Sequence, residues 1–263
     1  MRTELVSEAG DRARPNEDFA SIGLSASGQG GSLVLLDGVT PPPGGAGCLH
    51  SVPWFTARLG GALTELTVSL PDVPLAEALA LAIARTAGAH SETCDLSHPR
   101  TPQATVALAR WSPETVECLV LCDATLLLAS PDGAVTAVQD DRLARLPRTL
   151  LSSAEVVDGT LRNKEGGFFT AAADPSVAAR AVTVAVPRAE VHALAALSDG
   201  AAQWTELFHQ GDWPELFALV RKEGAGALVE RVRELERADD GAGRAFLGRA
   251  KTHDDATVVR VDL

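Results

Sequence analysis

Leu33-Val34-Leu35-Leu36-Asp37-Gly38 is an apolar run that stops abruptly at an Asp-Gly pair, and Leu194-Ala195-Ala196-Leu197-Ser198-Asp199-Gly200 repeats the design. Runs this short and this apolar read as buried strands, and each carries a carboxylate to its end. Hard divalent cations such as Mg²⁺ and Mn²⁺ prefer oxygen ligands, and a glycine beside the aspartate lets an ion approach a backbone carbonyl with no side chain in the way. Asp-Gly is also a common turn dipeptide, so either pair read alone is a turn. Two more acidic clusters shift that balance. Asn16-Glu17-Asp18 precedes an early strand, and His253-Asp254-Asp255-Ala256-Thr257 runs directly into the last one. Acidic residues are depleted in strands and costly where buried, so four such clusters at the edges of apolar strands point to a shared cation.

Outward from these runs, the N-terminal third reads as strands at 2–6, 18–24 and 33–36, separated by a Gly- and Ser-rich turn at 25–31 and followed by a loop at 41–47. Ser51 offers an N-cap with Pro53 just inside, and Val52, Phe55, Leu59, Leu63 and Leu66 recur at helical spacing. A second helix opens at Asp72 and Pro74 and buries Leu75, Leu79 and Ile83. Short β-rich runs at 105–110, 116–122, 126–129 and 134–138 then read as an antiparallel meander. Strands at 181–186 and 192–197 follow, then three helical segments. Asp212, Pro214 and Glu215 form a capping-box start for one, and Leu228, Val232 and Leu235 the stripe of another. The chain closes on a strand at 256–261. This order is that of an α+β layered domain rather than a βαβ repeat. A single domain over 1–263 is expected, with an irregular insertion or flap around 140–169.

Composition narrows the function classes. A net charge of −12 repels phosphate backbones and anionic membrane surfaces, so nucleic acid is a poor partner. No stretch approaches a membrane span, and Glu4 and Glu8 stand where a signal peptide would be apolar, so a cytoplasmic protein is expected. Cys48, Cys94, Cys118 and Cys122 are too far apart for a CxxC pair, and buried reduced thiols are the expectation. Cys48 and His50 offer two ligands of a zinc site, but such sites want three or four, and no second Cys/His pair shows matching spacing.

The acidic clusters, taken in order, carry a resemblance. Arg-Pro-Asn-Glu-Asp at 14–18, Leu-Asp-Gly at 36–38, Thr-Pro-Gln-Ala-Thr at 101–105, Cys-Asp-Ala-Thr at 122–125, Ser-Asp-Gly at 198–200 and Asp-Asp-Ala-Thr at 254–257 resemble the motifs of the type 2C metal-dependent protein phosphatases (PPM family). That resemblance implies a four-layer α-β-β-α sandwich with two central antiparallel sheets. It implies a hydrolase using two Mn²⁺ or Mg²⁺ ions, with a third conceivable, whose substrates are phosphorylated proteins. By resemblance Asp37 would bridge the ions, the Gly38 carbonyl would bind one, and Asp199 and Asp254 would complete the other's shell. Glu17 and Asp18 would act through water, and Asp123 would serve the additional, weaker position. Two such ions lower the pKa of a water held between them and screen the phosphate it attacks, so no covalent phosphoenzyme is needed.

Three departures from the family pattern stand beside the matches. The family's phosphate-gripping arginine falls at Ala13, flanked by Arg12 and Arg14, and Arg14 is the expected substitute. Val39-Thr40-Pro41-Pro42-Pro43 replaces the usual segment after Asp37-Gly38, which leaves the general acid unassigned, with His50 as one candidate among residues more often packed than catalytic. Gln203 stands where many members place another Asp. A pseudophosphatase that binds partners, and a hydrolase of a small phosphorylated metabolite, are therefore the alternatives to a serine/threonine protein phosphatase. The segment 162–169, basic and glycine-rich with two aromatics, reads either as a substrate-facing flap or as a loop anchored by Phe168 and Phe169.

Overall fold

The structure, a computed structural model, describes residues 1–41, 47–239 and 253–263. Most of the loop expected at 41–47 lies outside the described residues. Among the described residues ten strands form two antiparallel sheets. One is ordered β1 (Arg2–Glu8), β10 (Ala256–Asp262), β9 (Ala193–Leu197), β6 (Thr125–Ala129) and β7 (Val135–Gln139); the other β2 (Phe19–Leu24), β3 (Gly31–Gly38), β4 (Ala104–Trp111), β5 (Thr115–Leu121) and β8 (Val182–Pro187).

Alternation along each strand builds three layers of core. Leu33 and Leu35 of β3 meet Leu126, Leu128, Ala196 and Val259 between the sheets. Val34 and Leu36 point the other way, under α1 (Val52–Ser69) and α2 (Leu75–Gly88). Across the molecule Leu127, Ala195, Leu197 and Val258 pack beneath α5 (Asp199–Glu206), α6 (Trp213–Glu223) and α7 (Ala225–Ala238). A strand covered on both faces has no polar side to show, which is why the central strands read as continuous apolar runs. The result is the expected helix-sheet-sheet-helix sandwich.

Local signals held where they rest on caps. Ser51 accepts from the Trp54 N–H at the start of α1, and Asp212 with Glu215 closes a complete capping box on α6. The second helix differs from expectation: it starts at Leu75 behind Pro74, with no side-chain cap from Asp72. The meander is also corrected. β4 and β5 form a hairpin in one sheet and β6 and β7 a hairpin in the other, and the chain changes sheet at Cys122, whose φ of 68° turns it sharply. Periodicity reports which face of a strand is apolar, and says nothing of the sheet it joins.

The irregular segment at 140–169 folds as α3 (Arg148–Leu151), α4 (Ala154–Val156) and one π-helical turn, then returns by a bridge between Arg162 and Phe168. Val157, Leu161 and Phe168 bury against Cys122 at the sheet-switching turn. Among the described residues no helix is long and apolar enough to cross a membrane.

The inter-sheet layer should dominate stability. Leu35→Ala, at a fully buried position, is expected to cost about 2–5 kcal/mol in urea denaturation. Leu24→Ala, at a position 50% exposed, should stay within about 0.5 kcal/mol of wild type. Equal midpoints for the two would contradict the layer assignment.

Candidate metal-binding cleft

Asp37 and Gly38 end β3 in one sheet, while Asp199 opens α5 directly after β9 in the other. The Asp199 N–H donates to Asp37 Oδ2 at 3.2 Å and ties the two strand ends together across the seam. An N-terminal helix amide is a favourable neighbour for a carboxylate, because the first turn's N–H groups lack partners in their own helix. Sequence motifs flank both ends in register: Thr105 pairs with Asp37 and Thr125 with Leu197. Asp18 enters from the start of β2, where Thr257 Oγ1 donates to its Oδ2 at 2.6 Å, and the Thr257 N–H donates to Ser198 Oγ at 2.9 Å.

The carboxylates feel one another. Asp37 is held well above the ordinary carboxylate range, by burial first and then by the charges of Asp199, Asp18, Asp254 and Asp123. Asp18 is pushed from 3.8 to about 7, chiefly by burial, with Asp255 and Asp199 adding to the rise against hydrogen bonds from Thr257 and Ser198. Asp18 Oδ1 is buried with no hydrogen-bond partner. Mutual repulsion, an all-oxygen donor set and an orphaned buried carboxylate oxygen fit divalent cations of the Mg²⁺ or Mn²⁺ kind.

Two groups outside this cluster hold it in place. Arg233 of α7 donates to the Asp254 carbonyl at 2.7 Å and the Glu8 carbonyl at 3.0 Å, and pairs with buried Glu236 at 2.9 Å, which also meets His253 Nδ1 at 2.7 Å. Asp255 accepts from the backbone N–H groups of Gly10 at 2.8 Å and Glu17 at 2.7 Å, so it fastens the loop that carries Glu17. A β-carbon at Gly38 would meet the Glu17 carbonyl oxygen at 2.5 Å, so glycine is needed here for close approach as well as for carbonyl access.

A cleft of about 1530 Å³ borders this region on the side of Glu17, His253 and Asp255, while Asp37, Asp199 and Asp254 do not line it. Arg12 and Arg14 line it and are exposed, beside Glu17, Thr40 and Asp255. Glu17 accepts a hydrogen bond from Thr40 Oγ1. Arg162 lines it as well. Its guanidinium lies over the Phe168 ring, reaches Gln103 Oε1 at 3.3 Å, and faces Asp158 at 3.7 Å. Phe168 and Phe169 are buried and anchor the 162–169 segment on the core, while Arg162 lines the cleft. The structure draws Asp18, Asp37, Asp123, Asp199 and Asp254 into one electrostatic cluster, and sets Glu17 and Arg14 on the cleft wall. His50 is not part of it; its ring packs on Trp54 and faces two cysteines. Arg233 carries no motif signal; Asp255 stands inside the 254–257 motif and Arg162 inside the 162–169 segment, but neither has a role of its own in the sequence reading.

The fold is that of the type 2C (PPM) serine/threonine phosphatases. The serine/threonine phosphatase PstP/Ppp of Mycobacterium tuberculosis superposes with a TM-score of 0.62 at 19% identity, over 100% of this chain and 98% of that one. The PstP catalytic domain in complex with two manganese ions gives 0.58 at 19% identity, over 99% and 97%. Stp1 of Staphylococcus aureus gives 0.59 at 13% identity, over 99% and 94%. No family model and no curated protein matches the sequence.

A pH dependence follows from the raised carboxylates. A carboxyl whose folded pKa lies above its unfolded value contributes stability that is complete below the unfolded pKa and lost as pH rises through the folded one. With Asp18 moving from 3.8 to about 7, the metal-free protein should lose thermal stability from about pH 4 to about pH 8. Saturating Mn²⁺ should restore it, and metal-free Asp37→Asn should melt above metal-free wild type at the alkaline end. A melting temperature flat across this range, with or without Mn²⁺, would contradict the repulsive cluster.

Proposed function

We propose that the chain is a metal-dependent phosphomonoesterase that acts in the cytoplasm on phosphoserine or phosphothreonine in proteins. The observation that carries this reading is the meeting of Asp37 and Asp199 across the sheet seam, near a cleft that Glu17, Asp255 and several arginines line. Asp37, Asp199 and Asp254, with the Gly38 carbonyl, would hold two Mn²⁺ or Mg²⁺ ions. Glu17 and Asp18 would contact them through water, and Asp123 would serve a third. Two manganese ions in the PstP catalytic domain of the same fold support that number. Bound, the cations supply an acidified water and positive charge opposite the phosphate.

The protein's own residues do the rest. Arg14, exposed on the rim with Arg12 beside it, would bind the phosphate, where a guanidinium fork suits the geometry of the anion. Arg233 orients Asp254, and Asp255 orients Glu17, each through main-chain hydrogen bonds. The general acid is left unassigned among the described residues, since His50 is turned to the cysteines. A leaving alkoxide must then depart with little help, which costs about 10²–10⁴ in rate for serine phosphates and far less for aryl phosphates. A protein of net charge −12 also disfavours nucleic acid as the phosphate donor. Ala13, where the family keeps arginine, favours a second reading, a pseudophosphatase that retains the carboxylates and acts through partners.

Hydrolysis of a generic aryl phosphate separates the two. Mn²⁺-dependent turnover is expected, lost in Asp199→Asn and in Asp254→Asn, with phosphoserine peptides cleaved markedly more slowly. Arg14→Ala should lower kcat/KM about tenfold or more while leaving Mn²⁺ affinity nearly unchanged. Measured Mn²⁺ binding without turnover of any phosphomonoester would overturn the enzyme reading in favour of the pseudophosphatase.

A further inference from the structure

Away from the carboxylates, Cys48, His50, His90 and Cys94 bring one donor atom each to within 4.8 Å of one another. Among the described residues this is the one group of three or more Cys, His, Asp or Glu side chains gathered in this way. Two segments build it. Cys48 and His50 lie on the approach to α1, just before the Ser51 cap. His90 and Cys94 lie just beyond α2, on a turn closed by the Cys94 N–H donating to the His90 carbonyl at 3.0 Å. A backbone bond from the Asp95 N–H to the Gly47 carbonyl at 2.7 Å holds the segments side by side. The pairing that the sequence reading missed is Cys-x-His with His-x₃-Cys, two unlike spacings joined only by the packing of α1 on α2.

We propose that these four side chains form a structural zinc site that staples the start of α1 to the end of α2. The donors are two thiols and two imidazoles, a borderline-soft set suited to zinc and unlike the all-oxygen set at the cleft. Tetrahedral zinc with bonds of about 2.3 Å to sulfur and about 2.0–2.1 Å to nitrogen puts S and N about 3.5 Å apart. Cys48 Sγ lies 3.3 Å from His90 Nδ1 and 3.7 Å from His50 Nδ1, and Cys94 Sγ lies 3.4 Å from His50 Nδ1. The sulfurs themselves stand 2.8 Å apart, nearer than the roughly 3.7 Å of a tetrahedral pair, so an ion between them would spread them.

The surroundings suit thiolates. The Leu49 N–H points at Cys94 Sγ at 3.3 Å and the His50 N–H at Cys48 Sγ at 3.4 Å, the outer-shell contacts that orient sulfur ligands. Trp54 of α1 packs on both imidazoles, with ring centroids 3.9 Å from His50 and 5.2 Å from His90, and fixes their direction. Four protein donors leave no open position, so the role is structural. It is independent of the phosphatase reading. The competing state of the same geometry is a Cys48–Cys94 disulfide.

Full-length protein purified under reducing conditions should contain one zinc per chain by elemental analysis. That zinc should persist in Asp37→Asn and Asp199→Asn and be lost in Cys94→Ser and His90→Ala. Where those variants fail to fold, wild-type protein decides the matter: two thiols should become reactive to a chromogenic disulfide reagent only after chelator removes the zinc, and Co²⁺ loaded in its place should show sulfur-to-metal charge-transfer absorption. Zinc that leaves with Asp37→Asn but stays in Cys94→Ser would overturn the proposal. So would zinc-free protein in which Cys48 and Cys94 are recovered as a disulfide.

Discussion

Like charge gathered where two sheets meet is the constraint around which this molecule is arranged. Asp37 at the end of β3 and Asp199 just after β9 of the other sheet would repel, yet the Asp199 N–H at the start of α5 donates to Asp37 and ties the two strand ends together. Desolvation and three further carboxylates work against that contact, as the raised pKa of Asp37 records. A site of this kind is unstable alone and must be over-determined by its neighbours. The neighbours are visible: Arg233 clamps the Asp254 and Glu8 carbonyls, Asp255 fastens two amides of the 10–17 loop, and Thr257 serves Asp18 and Ser198 together. A divalent cation bound there would relieve that repulsion, so the affinity for metal that we propose and the strain in its absence would have one cause.

How much of this the sequence carried depends on the range of the signal. Leu33–Leu36 and Ala193–Leu197 declare buried strands because both faces of each are covered, and the aspartates at their ends stand out against that background. Caps at Ser51 and Asp212 are equally local and equally legible. The change of sheet at Cys122 is not, since a left-handed residue between two apolar runs looks like an ordinary hairpin turn. Arg233 is invisible for another reason: on the α7 stripe its spacing is that of a core residue, and only the fold brings it to Asp254. Arg162 escaped through its setting, a segment with no period at all.

The cysteines show the same limit from the other side. Pairs of metal ligands are sought as repeated spacings, and Cys48-x-His50 finds no second copy of itself. What joins it to His90 and Cys94 is the antiparallel packing of two helices, a contact fixed by Leu59, Leu63, Leu79 and Ile83 in the core rather than by anything near the ligands. Spacing rules describe sites built within one short segment; a site assembled from two segments inherits its geometry from the core.

Two donor chemistries thus occupy separate parts of one sandwich, and their difference in openness matches their difference in softness. At the seam the donors are hard oxygens with a wide cleft beside Glu17 and Asp255, conditions that would suit cations that exchange and keep water in their shells. At the helix ends the sulfurs and imidazoles close on a point, conditions under which a borderline-soft ion is retained. The chain between Gly38 and Cys48 connects the two, running from the last residue of β3 to the staple before α1. The staple we propose there rests on the packing of α1 against α2 and not on the seam carboxylates, so each site can be lost without the other.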